Sequence, residues 1–479
     1  MPISSLPSPY GIGSFGKAAF DFIDFLAETK QKCWQVLPMN PTSYGDSPYQ
    51  SPASAAGNPY FIDLDLLGKD GLLTAEELKN AKNRSKKVDY GWLFGTRYQL
   101  LRLAYSRFKA GAAYATFCRR NADWLEDYAL FMALKVKNGW RCWTEWDEDE
   151  KISRLARKNI ENYAEEMGFW KWIQFEFFTQ WTAVRDYAHG KGIVVIGDIP
   201  IYVAHDSVDV WASPAQFLLD DDYNPTVVAG CPPDAYAEDG QLWGNPIYDW
   251  PKMEREHFTW WIARVGAALN MYDILRIDHF RGFASYFSIP YGDKTARGGE
   301  WREAPGLALF ETIKGALPKA KIIAEDLGFI TEDVRELLDA TGFPGMKVIQ
   351  FGFSTEDSEY LPRMFETDNC VVYSGSHDSD CTASWCKSLK GKDKKRFLRE
   401  CPVREGQSLP YAAIELAMNS RANLCIVPMQ DYLELTNAKG RMNTPSVAEG
   451  NWQWRLGDNY AAEELKNRIA ELTERCERA

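Results

Sequence analysis

Short apolar runs that end in an acid recur along this chain, and they narrow its possible folds more than any other feature. YDILRID ends at Asp278, KIIAED passes through Glu325, and CVVYSGSHD closes on Asp378. Each run suits one buried strand, and each turns polar where that strand would stop. Runs of the same kind are CWQVLPM from Cys33, IVVIGDI from Ile193, MKVIQF from Met346 and ANLCIVPM from Ala422. Amphipathic stretches lie between them. GKAAFDFIDFLAETKQ from Gly16 places Ala19, Phe20, Ile23, Phe25 and Leu26 close to helical spacing, and FETIKGAL and TEDVRELLDA follow later. Apolar strands alternating with helices predict an α/β fold, a (β/α)8 TIM barrel, and a chain of 479 residues accommodates one with insertions.

Two stretches break the rhythm. Residues 65–185 carry charged and aromatic residues at helical spacing without a clear strand, which predicts a helical insertion beside the barrel. Residues 205–260 read as a loop-rich insertion, with Asp220, Asp221, Asp222, Pro232, Pro233, Gly240 and Trp243, which the family resemblance given below places over the active site; long loops in a compact domain are usually functional. The whole chain, 1–479, reads as one catalytic barrel with no repeats and no linker.

A formal net charge of −12 argues against nucleic acid or an anionic membrane as partner and suits a neutral substrate. No stretch is apolar enough for a membrane span, and MPISSLPSPYGIG has no signal-peptide pattern, so a cytoplasmic enzyme is expected. Ten scattered cysteines without a CxxC pair point to reduced, mostly buried thiols and to no metal site or redox dithiol. No cofactor is expected. Aromatic residues make up 14% of the chain, with 18 Trp; most belong in the core, but those in Gly-, Pro- and Asn-rich loops offer flat apolar platforms for an uncharged ligand.

At the carboxyl ends of barrel strands, acids from separate strands meet in one pocket. A single such acid most often caps a helix or pairs with an arginine. Three together, with Arg276 two residues before Asp278 on the same strand face, read differently: the guanidinium can hold that carboxylate ionised for attack. One attacking carboxylate and one protonating carboxylic acid is the requirement for cleaving a sugar-to-sugar bond. His377 beside Asp378 can donate hydrogen bonds to a sugar hydroxyl.

GDIPIYV at 197–203, RIDHFRG at 276–282, AEDLG at 324–328 and GSHD at 375–378 are similar to the four short regions of the α-amylase superfamily. YGDSPYQSPASAAGNPYFIDL at 44–64, AGCPPDAYAEDGQLWGNPIY at 229–248, IVPMQDYLEL and RMNTPSVAEGNWQWRL resemble the amylomaltases, the 4-α-glucanotransferases of glycoside hydrolase family 77, over nearly the whole chain. The resemblance implies transfer of α-1,4-glucan segments between donor and acceptor glucans by a retaining double displacement, carried by a monomer or weak oligomer. It makes Asp278 the nucleophile, Glu325 the acid and base with a raised pKa, and Asp378 the stabiliser of the transition state. Arg276 then pairs with Asp278, His377 and Asp378 hold the sugar being cleaved, and Asp198 steadies the site. Tyr49 becomes an aromatic platform beside the scissile bond, Tyr44 part of a remote glucan contact, and Tyr236 part of a closing loop followed by Trp243 and Asn245. Asp326 is read as structural.

The sequence departs from the family in two places. Only MPISSLP stands for the first strand, so edge groups on its barrel neighbours are expected to lack partners. Ser379 and Cys381 in GSHDSDC differ from the usual THDND form. Rival readings are an α-amylase-type hydrolase with the same acids, a barrel enzyme whose acids ligate Mg²⁺, and an inactive glucan-binding scaffold. Maltotriose products separate the first, insensitivity to EDTA dismisses the second, and the presence of all three acids weighs against the third.

Overall fold

The computed structural model of the chain describes residues 1–43, 45–233, 238–328 and 330–479. Its strands in chain order are β1 (Cys33–Gln35), β2 (Val194–Ile199), β3 (Val227–Cys231), β4 (Gln241–Pro246), β5 (Ile274–Ile277), β6 (Ser285–Pro290), β7 (Glu300–Glu303), β8 (Ile322–Ala324), β9 (Gly345–Val348), β10 (Cys370–Tyr373) and β11 (Leu424–Ile426). All seven apolar runs named above become parallel strands, in an α/β fold of the TIM-barrel type. Two arcs make up the barrel wall: β1-β2-β5-β8 and β9-β10-β11. Side chains from both arcs fill its interior, where Ile196, Ile323, Met346, Val348, Val371 and Tyr373 pack together. Interior and exterior faces are both covered, which is why these strands are apolar throughout instead of alternating.

The two joints between the arcs differ from the ladders. Between β8 and β9 the backbone link is Ala324 N–H to the Pro344 carbonyl, 3.0 Å. Between β11 and β1 lies a cavity of about 220 Å³, lined by Met1, Cys33, Trp34, Leu424, Cys425 and neighbours. Here the Met1 nitrogen donates to the Gln35 carbonyl at 3.0 Å, and Trp34 Nε1 donates to the Met1 carbonyl at 2.7 Å. The N-terminal residues thus lie against the free edge of β1, where the first strand was expected.

Within 65–185 the structure places helices Tyr90–Arg107, Ala112–Arg120 and Ala122–Lys137, and most of Ala164–Gly190, which runs into β2. The last of these buries Trp170, Trp172, Phe177 and Trp181 and packs on Ala122–Lys137. Arg97, 2% exposed, ties this layer to two N-terminal segments: its guanidinium donates to the carbonyls of Tyr60, Ile62 and Tyr10 at 3.0–3.1 Å. The span 205–260 is not loop throughout. It holds helices Val208–Ala212 and Trp250–Arg255 and the strands β3 and β4, which join β6 and β7 in an antiparallel sheet of order β4-β3-β6-β7. That sheet was not foreseen from the sequence.

Candidate active site

Barrel register brings the site together. Asp198 on β2 is paired with Arg276 on β5, so both side chains project from one face at the carboxyl ends of adjacent strands. Arg276, 4% exposed, donates from Nη1 to both Asp198 oxygens at 2.8 Å and to Asp278 Oδ1 at 2.9 Å; its Nη2 lies 4.0 Å from Glu325 Oε2. One cation therefore faces three carboxyl groups. Asp198 is fully buried, and desolvation raises its pKa against the pull of Arg276.

Glu325 follows β8 and is also buried. Its Oε2 accepts from the His279 backbone N–H at 2.7 Å and its Oε1 from that of Leu327 at 2.9 Å. Burial, reinforced by the Asp278 carboxylate, pushes its carboxyl up to about 8. A carboxylic acid still protonated at neutral pH is what general acid catalysis of glycoside cleavage requires. Asp326 turns away, and its Oδ1 accepts from the Met346 N–H at 2.5 Å across the joint with β9.

Asp378 comes from the other arc, in the turn after β10, and is exposed. Asn443 Nδ2 donates to its Oδ1 at 2.6 Å, and Arg441 Nη2 donates to its backbone carbonyl at 2.8 Å. Ser379 shapes that turn: its hydroxyl accepts from the Ser376 N–H at 2.7 Å, while the Cys381 N–H donates to Asn437 at 2.8 Å. Both departures from the usual motif thus stand on backbone contacts that support the acid's loop. His377 stacks on Tyr49 with centroids 5.3 Å apart and planes 20° apart, and Trp452 flanks both rings. The Tyr49 hydroxyl donates to Asp198 at 2.7 Å.

The remaining expected residues are placed less directly. Trp243 on β4 is half-buried and meets the His279 ring edge-on at 4.8 Å. Asn245 is 4% exposed and its amide donates to Val203 and Gln50, so it braces the Gln50 loop. Tyr44 and Tyr236 lie outside the described residues. Asn443, Arg441 and Trp452 were not anticipated; RMN and NWQW carry no chemistry by spacing, and only their packing on the Asp378 turn reveals them. Beside Arg441 opens a groove of about 1510 Å³, also lined by Asp380, Asn437, Thr444 and Asn451, with room for an extended polar chain. Among the described residues no cluster of His, Cys, Asp and Glu has the makings of a metal site.

A parallel barrel that carries an arginine-braced carboxylate, a buried acid of raised pKa and a third acid on the turn after β10 has the groups of an enzyme that works through carboxylates. The chain belongs to the 4-α-glucanotransferase family, glycoside hydrolase family 77, whose model matches residues 1–459. It is 47% identical to a 4-α-glucanotransferase of Clostridium butyricum over 491 aligned residues, covering 100% of both chains. A Streptococcus pneumoniae 4-α-glucanotransferase is 43% identical over 483 residues, with 99% of this chain and 95% of that one covered. Among solved structures, an amylomaltase from Streptococcus agalactiae in complex with acarbose superposes with a TM-score of 0.96 at 39% identity, covering 100% and 98% of the two chains.

Proposed function

We propose that this 4-α-glucanotransferase works by double displacement, with Asp278 as nucleophile, Glu325 as acid and base, and Asp378 steadying the sugar in the transition state. The observation that carries the reading is the single guanidinium of Arg276 in contact with Asp278 and close to Glu325. Retention demands carboxyl groups about 5–5.5 Å apart, and an arginine that touches Asp278 and lies 4.0 Å from Glu325 supports a close pair. In the first half-reaction Asp278 attacks the anomeric carbon, the bond to the leaving glucan breaks, and the Glu325 proton passes to the departing oxygen. In the second, Glu325 takes the proton of an acceptor 4-hydroxyl as that oxygen displaces the Asp278 ester.

Donor and acceptor are α-1,4-glucans in this reading. It includes a cytoplasmic setting, supported by ten cysteines all present as free thiols, and a monomer or weak oligomer. No helix among the described residues is long and apolar enough to cross a membrane. Transfer rather than hydrolysis shows in products: maltotriose alone should yield glucose plus longer oligosaccharides, whereas glucose and maltose only would mean water wins.

The decisive experiment is Glu325→Gln. Activity on maltooligosaccharides should fall by a factor in or above about 10²–10⁴, the range of general acid catalysis. On α-glucosyl fluoride, whose leaving group needs no proton, the first step should persist and the ester on Asp278 should accumulate in intact mass spectra. Equal loss on both donors would remove Glu325 from this role.

A further inference from the structure

We infer that His279 is a positioning residue for Glu325, acting through its left-handed backbone, which turns its N–H onto the acid. The inference rests on the reading of Glu325 given above. His279 sits at φ 52°, ψ 49°, immediately after the nucleophile. That conformation folds three successive residues around one glutamate. Asp278 presents its carboxylate from the end of β5, the His279 N–H reaches Glu325 Oε2 at 2.7 Å, and the Phe280 N–H reaches the Glu325 carbonyl at 2.9 Å. In an extended backbone, successive N–H groups point to opposite sides and could not both meet Glu325.

The ring holds the turn in place. It lies edge-on to Trp243 at 4.8 Å, and Gly282 passes so close that an added Cβ would come within 3.1 Å of its Cδ2. Desolvation pushes the imidazole down to about 4, so at neutral pH it adds no charge beside the acid. The other groups that act on Glu325 are Arg276 on β5, Asp278 just past its end, the Tyr373 phenol on β10 and the Tyr360 phenol; both phenols are raised above their usual range by burial and stay protonated. A backbone N–H on a carboxylate favours its charged form. Losing this one would leave Glu325 harder to ionise and free to turn, which harms proton delivery first and base catalysis second.

The test is a series at one position. Gly and Asn adopt the left-handed region readily, Ala less so, and β-branched Val resists it. The pH dependence of kcat/KM on maltotriose should keep its alkaline limb in His279→Gly and His279→Asn, although rates fall with the lost Trp243 contact. His279→Val should move that limb upward by about one pH unit. It should also lose at least about tenfold more on maltotriose than on fluoride release from α-glucosyl fluoride, the signature of impaired proton transfer. Should Val not fold, the same order should hold between Gly and Ala. An unmoved limb in Val and Ala, or equal shifts in Gly and Val, would overturn the role. Glu325→Gln in the same assay separates the two ideas: if it behaves as expected while the limb stays put, only His279 loses its role.

Discussion

Glu325 illustrates how a single buried carboxyl trades stability for chemistry. Its folded pKa, about 8, stands above the ordinary 4.5, so the folded state holds a proton that the unfolded chain releases. The favourable contribution is fully present below about pH 4.5 and is lost as pH rises through 8. Two outcomes follow at this scale. The pH profile of kcat/KM on maltotriose should lose activity as pH rises through about 8. Glu325→Gln, which removes the titration, should melt above the wild type by about 2–4 °C at pH 8, with the gap closing toward pH 5 in calorimetry. Asp278→Asn should differ from both: an amide cannot form the glycosyl ester, so it is dead on maltotriose and on glucosyl fluoride. Tyr49→Ala should weaken glucan binding by removing the ring stacked on His377, and an unchanged kcat/KM would show that the ring only fills space. The gathering of Arg276, Asp278 and Glu325 could be read in the sequence because a polar residue closing an apolar strand has few places to go. Asn443 and Trp452 could not, because their part depends on a chain reversal that brings residue 443 beside 378.

At the level of elements, one close approach sets β2 beside its neighbour and one buried arginine ties the helical layer down. Gly197 precedes Asp198 on β2, and a Cβ there would sit 2.0 Å from the Tyr272 ring. Gly197→Ala should therefore push β2 off its neighbour and cost at least the ~1–3 kcal/mol of an overpacked core, measured by urea denaturation. Arg97 is that arginine, since one side chain satisfies three buried carbonyls from two segments. Arg97→Leu should cost on the order of 3 kcal/mol by stranding those groups. The parallel strands could be read because burial on both faces makes them continuously apolar. The antiparallel sheet could not. EWRE in β7 is exposed at every position, and QLWGNP in β4 contains Gly and Pro, so neither carries a local strand signal. β4 becomes a strand only against β3 and β7 only against β6, and it is the pairing of β3 with β6, far apart in sequence, that joins them in one sheet. The helices of 65–185 were legible from their spacing, but the contacts of Arg97 were not, since a charged residue on a helix usually faces water.

For the molecule as a whole, the arcs matter more than the individual strands. Asp278 and Glu325 belong to the arc that contains β5 and β8, whereas Asp378 and His377 belong to the arc of β9, β10 and β11. Interior side chains and a few backbone contacts join the two, not a continuous ladder. In urea below the main transition, transfer activity should decline while amides of β5 keep their exchange protection, because parting the arcs separates the acids without unravelling either arc. Coincident loss of activity and protection would mean the arcs open only with global unfolding. Catalysis is then a report on assembly. In the proposed mechanism, a newly made copy whose halves have not yet met holds Asp278 and Glu325 without Asp378, and glucan that meets such a copy is left uncut.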